Sequence, residues 1–76
     1  MNLTDKVISI IKENVEKSIE INENTNLRDE LNLDSFGAMM IINALEDEYN
    51  ISIEESAFDD FIIVKDIVVF LEKNYL

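Results

Sequence analysis

Apolar side chains recur at Phe36, Met39, Ile42, Leu45 and Tyr49, spacings of three and four that place them on one stripe of a helix running to about Asn50. Asp34 and Ser35 stand just before that stripe. Both have side-chain oxygens suited to accept from the unpaired amides of a first helical turn. The same spacing links Leu3, Val7, Ile10, Ile11 and Val15 and predicts a packing helix from Leu3 to about Ser18, with Lys6, Lys12, Glu13 and Lys17 turned outward. Near the other end, the run from Phe61 to Leu71 is rich in β-branched residues and by propensity alone suits a strand. Spacing decides for a helix, because Val64, Ile67, Val68, Leu71 and Tyr75 share one helical face and a lone strand has no sheet to join. Ile63 offers no capping oxygen, so the first turn of this last helix is expected to fray.

Between the helices the pattern changes. From Ile19 to Leu33 the periodicity disappears, and Asn22, Asn24, Thr25 and Asn26 are turn formers. So long a connection in a small chain calls for a function or an ordering device. Ile19, Ile21, Leu27, Leu31 and Leu33 supply the second, spaced to tuck against a core and hold the loop as a strap across the helices. A strand at Ile19-Glu20-Ile21 would have only Ile51-Ser52-Ile53 to pair with and carries little weight. Asn50 suits a helix C-terminus. Ser52 is the expected cap of a short helical turn from Glu54 to Asp60, with Ala57, Phe58 and Phe61 packed inward. The predicted fold is all-α: a small four-helix bundle, three main helices of antiparallel type and one short one, with a long first loop.

Composition narrows the function. Seventy-six residues make a single domain, 1–76, near the size at which an apolar core just suffices. There is no cysteine and no histidine, which removes disulfides, thiolate ligands and the commonest general base and argues against self-contained catalysis. No apolar run approaches the ~18 residues of a membrane span and the start has no secretory pattern, so the expected setting is the cytoplasm and the expected state a monomer. Seventeen acidic against six basic residues give a net charge of -11, which repels nucleic acid and anionic membranes and attracts basic proteins. The acids cluster: Glu46, Asp47, Glu48, Glu54, Glu55, Asp59 and Asp60 occur between Asn43 and Asp60 with no basic residue among them. A solvated face and a docking face for basic partners both account for that cluster. Calcium binding does not, since neither Asp29–Asn32 nor Glu54–Asp60 has the spaced ligands and central glycine of an EF-hand loop.

The candidate chemistry lies at Asn32-Leu33-Asp34-Ser35-Phe36-Gly37. An anion is favoured at a helix N-terminus by the free amides and the helix dipole, so a phosphate ester on Ser35 would sit where the backbone welcomes it. Capping alone is the commoner meaning of an Asp-Ser pair. The wider context adds to it: Leu31-Asn32-Leu33-Asp34-Ser35-Phe36 resembles the Leu-Gly-Leu-Asp-Ser-Leu signature of acyl carrier proteins. Asn24-Thr25-Asn26-Leu27, Ala44-Leu45-Glu46-Asp47-Glu48-Tyr49-Asn50-Ile51 and Ile63-Val64-Lys65-Asp66 extend the resemblance over nearly the whole chain. Two positions depart from it. Asn32 replaces glycine, and asparagine is the other residue that best tolerates a left-handed backbone. Phe36-Gly37 replaces Leu and an acid, and Asp34-Ser35-Phe36-Gly37 resembles D-alanyl carrier proteins instead.

The resemblance implies that a phosphopantetheinyl transferase attaches 4′-phosphopantetheine to Ser35, with Asp34 as the helix cap beside it. Acyl or aminoacyl groups then ride on the arm as thioesters and are presented to enzymes of fatty-acid, polyketide or related biosynthesis. The chain itself is then a carrier and not an enzyme. Acyl-loading and acyl-processing partners with basic docking surfaces would read Phe36, Met40, Glu46, Asp47, Glu54 and Glu55. Gly37 and Met40 stand where such carriers commonly have acids, and Met40 has two readings, a docking residue beside Phe36 or a filler of the core. A non-covalent acidic adaptor, in which Asp34-Ser35 only caps, stays open on the sequence alone. A hydrolase is remote, since Ser35 has no histidine and no Gly-x-Ser-x-Gly setting.

Overall fold

The computed structural model of the chain describes residues 2–15 and 19–75. Three α-helices, α1 (Leu3–Asn14), α2 (Ser35–Tyr49) and α3 (Val64–Asn74), and one 3-10 helix (Glu55–Asp60) form the all-helical architecture expected from the pattern. α1 packs against both α2 and α3. Its Asn2 side chain caps the start by accepting from the Asp5 amide at 2.8 Å. The helix is shorter than its apolar spacing predicts. Asn14 turns its side-chain amide back onto the Ile10 carbonyl at 2.8 Å, and Val15 is already extended. Side chains that bond locally to the backbone compete with helix continuation, which accounts for the early stop. Lys17 and Ser18, the last positions of the expected helix, lie outside the described residues.

The core joins Val7, Ile10 and Ile11 of α1 to Ile41, Ile42 and Leu45 of α2 and to Val64, Ile67, Val68 and Leu71 of α3. The long first loop supplies Ile21, Leu27 and Leu31, all buried, so it is the strap that its apolar spacing predicts; Leu33 is half-buried, and Ile19 stays exposed. Ile19-Glu20-Ile21 forms no strand. The loop instead meets the segment before α3 at a single antiparallel bridge between Asn26 and Ile63.

That bridge overturns the expected fraying of α3. Val64 and Lys65 donate their amides to the carbonyls of Thr25 and Glu23, at 3.1 and 2.8 Å, and Leu27 donates to the Ile62 carbonyl at 2.8 Å. Asp66 reaches back to accept from the amides of Ile62 and Ile63, at 2.9 and 3.0 Å. The first-turn donors Val64 and Lys65 are satisfied by carbonyls about forty residues upstream, and the two amides just before the helix by the Asp66 carboxylate inside it, not by a side chain at Ile63. Thr25, the buried polar residue of the loop, is fixed by accepting from the Asn22 amide at 2.9 Å.

Two expectations at the other end of the core also change. Ser52 does not cap the 3-10 helix, whose N-cap is Glu54 with no side-chain bond; its carbonyl accepts from the Tyr75 hydroxyl at 2.6 Å. Tyr75 is correspondingly not on the buried face of α3, because its hydroxyl is held at the surface by that bond. Phe61 is buried as expected, in edge-to-face contact with Phe58 and Phe70 at centroid distances of 6.0 and 5.3 Å, while Ala57 and Phe58 are half-buried.

Candidate functional site

The segment ahead of α2 is shaped by short-range bonds. The Asn26 side chain accepts from the amides of Arg28 and Asp29, and its carbonyl from those of Glu30 and Leu31, folding the loop into a turn that buries Leu27 and Leu31. Asn32 then takes a left-handed backbone, φ 52°, a conformation that asparagine tolerates best after glycine. Asp34 is extended and caps α2, its carboxylate accepting from the Gly37 amide at 2.8 Å. With the cap assigned to Asp34, the side chain of Ser35 is spared that task and stands exposed on the first turn. The amides of Ser35 and Phe36 have no protein acceptor among the described residues, which leaves the donor-rich end of the helix beside the Ser35 hydroxyl.

Gly37 lets this turn close. A Cβ there would stand 3.1 Å from the end of the Leu33 side chain and 3.5 Å from the capping oxygen of Asp34.

The apolar stripe of α2 is rotated from the predicted one. Ala38, Ile41, Ile42 and Leu45 face the core, whereas Phe36 is 73% exposed and Met39 and Met40 are 37% and 39% exposed. From Ser35 to Leu45 the helix carries no charged residue, so no polar phase marks its outer face. Residues 38, 41, 42 and 45 satisfy the helical spacing as well as 36, 39, 42 and 45 do, and only the second set was read as core. Met40, for which the sequence left two readings, is at the surface.

Grooves flank Ser35 on several sides. An open groove between the end of α1 and the start of α2 has Val15, Leu33, Phe36 and Met40 in its walls. A smaller crevice between α2 and the 3-10 helix is lined by Ser35, Ala38, Met39, Ile42 and Phe58, with Glu55 and Asp59 at its rim. Sequence reasoning missed Phe58 and Arg28 as neighbours of Ser35. Arg28 and Phe58 are thirty residues apart and meet only in the fold. The signal available was that Arg28 is the one basic residue between Lys17 and Lys65.

Of the expected docking acids, Asp47, Glu54 and Glu55 are exposed. Glu46 is half-buried, and its carboxylate accepts from the Ile53 amide at 2.7 Å, pinning the chain where it leaves α2. Among the described residues no three acids, cysteines or histidines gather as a metal site would need. Among the described residues no helix is long and apolar enough to cross a membrane.

The model of the family described as "Phosphopantetheine attachment site" matches residues 5–71. The acyl carrier protein of Chlamydia caviae is 33% identical over 73 residues, spanning 95% of both chains. That of Phytoplasma australiense is 38% identical over 50 residues, 66% of each chain. This chain belongs to the acyl carrier protein family. The cofactor of that family is 4′-phosphopantetheine, and the site fits it. Ser35 is exposed, its neighbouring carboxylate is occupied by a backbone amide, and grooves with both apolar and polar walls lie within one helical turn.

Proposed function

We propose that this chain carries acyl or aminoacyl groups as thioesters on a 4′-phosphopantetheine arm joined to Ser35, and presents them to partner enzymes while catalysing nothing itself. The observation behind it is the division of labour at the start of α2: Asp34 takes the capping bond and Ser35 is left exposed beside open amides. When bound, the arm supplies a thiol on a flexible tether. The protein supplies the rest: a rigid attachment point, donors beside a phosphate, and a surface to be read. We further assign one domain over 1–76, acting as a cytoplasmic monomer and engaging neither nucleic acid nor membrane. Its partners are a phosphopantetheinyl transferase and acyl-loading and acyl-processing enzymes. Their basic docking surfaces meet the exposed Phe36, Met40, Asp47, Glu54 and Glu55, with Glu46 contributing charge from its half-buried place.

The test is intact mass after incubation with coenzyme A and a promiscuous phosphopantetheinyl transferase. Wild type gains one phosphopantetheinyl group and Ser35→Ala gains none. No gain in wild type, under conditions that load a control carrier, returns the chain to the class of non-covalent acidic adaptors.

A further inference from the structure

Arg28 reaches the edge of the Ser35 site from the long loop, and two contacts hold it there. Its guanidinium lies over the Phe58 ring, 5.6 Å from the centroid, and Nη2 donates to the Phe58 carbonyl at 3.4 Å. Its backbone is fixed as well, since the Arg28 amide donates to the Asn26 side chain at 2.9 Å. Arg28, Phe58, Asp59, Asp34 and Ser35 line one cleft. Although the cleft holds two carboxylates, Arg28 pairs with neither: among the described residues the ion pair within 4 Å is Lys6 with Glu48. A guanidinium has five donors in a planar fork, and one is engaged here. In a chain of net charge -11, a fixed arginine left unpaired beside two acids suits an anion that arrives after folding.

We propose that Arg28 is the phosphate-binding residue of this carrier, pairing with the phosphodiester that joins the arm to Ser35. The proposal rests on the assignment of Ser35 as the attachment point. A phosphodiester at that oxygen carries one negative charge into a cleft already holding Asp34 and Asp59, where the acids repel it and the free helix amides attract it. Arg28 is the cation lining the same cleft and offsets the acids. It acts on the root of the arm, so it limits the directions in which the arm leaves the protein. Phe58, beneath its guanidinium, lines both this cleft and the crevice between α2 and the 3-10 helix that also holds Ser35.

The experiment reads the phosphorus nucleus directly. Wild type, Arg28→Gln and Arg28→Lys are loaded with coenzyme A and a transferase, loading is verified by intact mass, and 31P spectra are recorded as potassium chloride is raised. In wild type the phosphodiester resonance should differ from that of Arg28→Gln by more than its line width, with Arg28→Lys between them. The wild-type resonance should move toward the Arg28→Gln position as the screening length falls from about 10 Å at 0.1 M to ~3 Å at 1 M salt. A difference that ignores salt would mean that Arg28→Gln acts through the packing of Phe58, and overturns the proposal. So does loaded protein with identical resonances in all three, including the case in which Arg28→Gln merely slows loading and thereby assigns Arg28 to transferase docking. Absence of a mass gain in wild type removes the Ser35 assignment and this inference together, and is distinguished from the other failures by the mass spectrum alone.

Discussion

At the start of α3 the amides of Val64 and Lys65 donate to carbonyls of the long loop and Asp66 accepts from the two residues before the helix; at the start of α2 the side-chain tie is the Asp34 bond to Gly37. The apolar residues follow the same division. Val64, Ile67 and Val68, the first apolar positions of α3, are buried, while Phe36, Met39 and Met40 in the first turns of α2 are exposed. A helix end bound by another segment is scaffold, and its unpaired donors are used up. The end of α2 keeps its donors, its hydroxyl and its apolar side chains for something outside the fold, which costs stability that α3 and the strap must supply.

The largest test of that contrast is a pair of truncations. Ile67→Ala removes a side chain that is 1% exposed and should cost about 2–5 kcal/mol, enough to unfold much of so small a domain. Phe36→Ala removes a larger one and should change stability by no more than about 0.5 kcal/mol. Denaturant melts of both variants decide it. A comparable loss for Phe36→Ala would mean that the start of α2 is packed after all.

Thr25→Val sharpens the comparison from the loop side. The substitution keeps the shape and removes the acceptor of the Asn22 amide, so it should cost about 1–3 kcal/mol. The turn that sets the Thr25 and Glu23 carbonyls is loosened with it. Hydrogen exchange at Val64 and Lys65 should therefore quicken much more than at Gly37. Equal quickening at all three amides would show that the strap does not hold α3 in particular.

What was legible in the sequence follows the same line. The stripes of α1 and α3 could be read because charged residues mark their outer faces, and Asn32, Asp34 and Asn50 could be read because left-handed turns and caps restrict residue type locally. Ser35 was singled out by the resemblance of Leu31-Asn32-Leu33-Asp34-Ser35-Phe36 to the carrier signature, since an Asp-Ser pair alone more commonly means a cap. The phase of α2 was misread because ten successive uncharged residues after Ser35 give no polar side to fix it. The α3 cap was missed because its acceptors lie some forty residues upstream, at Glu23 and Thr25, and a backbone carbonyl has no sequence signature. Arg28 over Phe58 was missed for the same reason of distance along the chain.

The far end of α2 offers a smaller test with a pH sign. The Tyr49 hydroxyl is buried with no partner among the described residues, and burial, helped by the Glu48 charge and opposed by Lys6, raises its pKa above the ordinary 10.0. Because the folded-state pKa lies above the unfolded one, this residue's contribution is whole below about pH 10 and is lost as the pH climbs through the folded value. Tyr49→Phe should match or exceed wild type by up to about 1 kcal/mol at neutral pH, since an unpaired buried hydroxyl is removed. The variant should also lose less stability than wild type on alkaline titration. An equal alkaline loss would place the cause elsewhere.

The smallest expected change in stability belongs to the substitution with the most to say about partners. Met40 is 39% exposed on the outer side of α2, so Met40→Glu should move the unfolding free energy by less than about 0.5 kcal/mol. It also places an acid where this helix has none, between Ser35 and Glu46. If loading enzymes grip the start of α2 through Phe36 and Met40, transfer to the loaded carrier should slow about tenfold, equivalent to about 1.4 kcal/mol, and added salt should not restore it. Asp47→Asn should do the opposite, leaving the slow step intact at high salt and lowering the association rate at low salt, as a rim charge does. Glu46 is unsuited to that control, because its carboxylate also holds the Ile53 amide and its loss would mix stability with binding. A large drop in melting temperature for Met40→Glu would assign Met40 to the core and end the docking reading. Unchanged transfer with unchanged stability would move the recognised surface to the acids beyond Leu45.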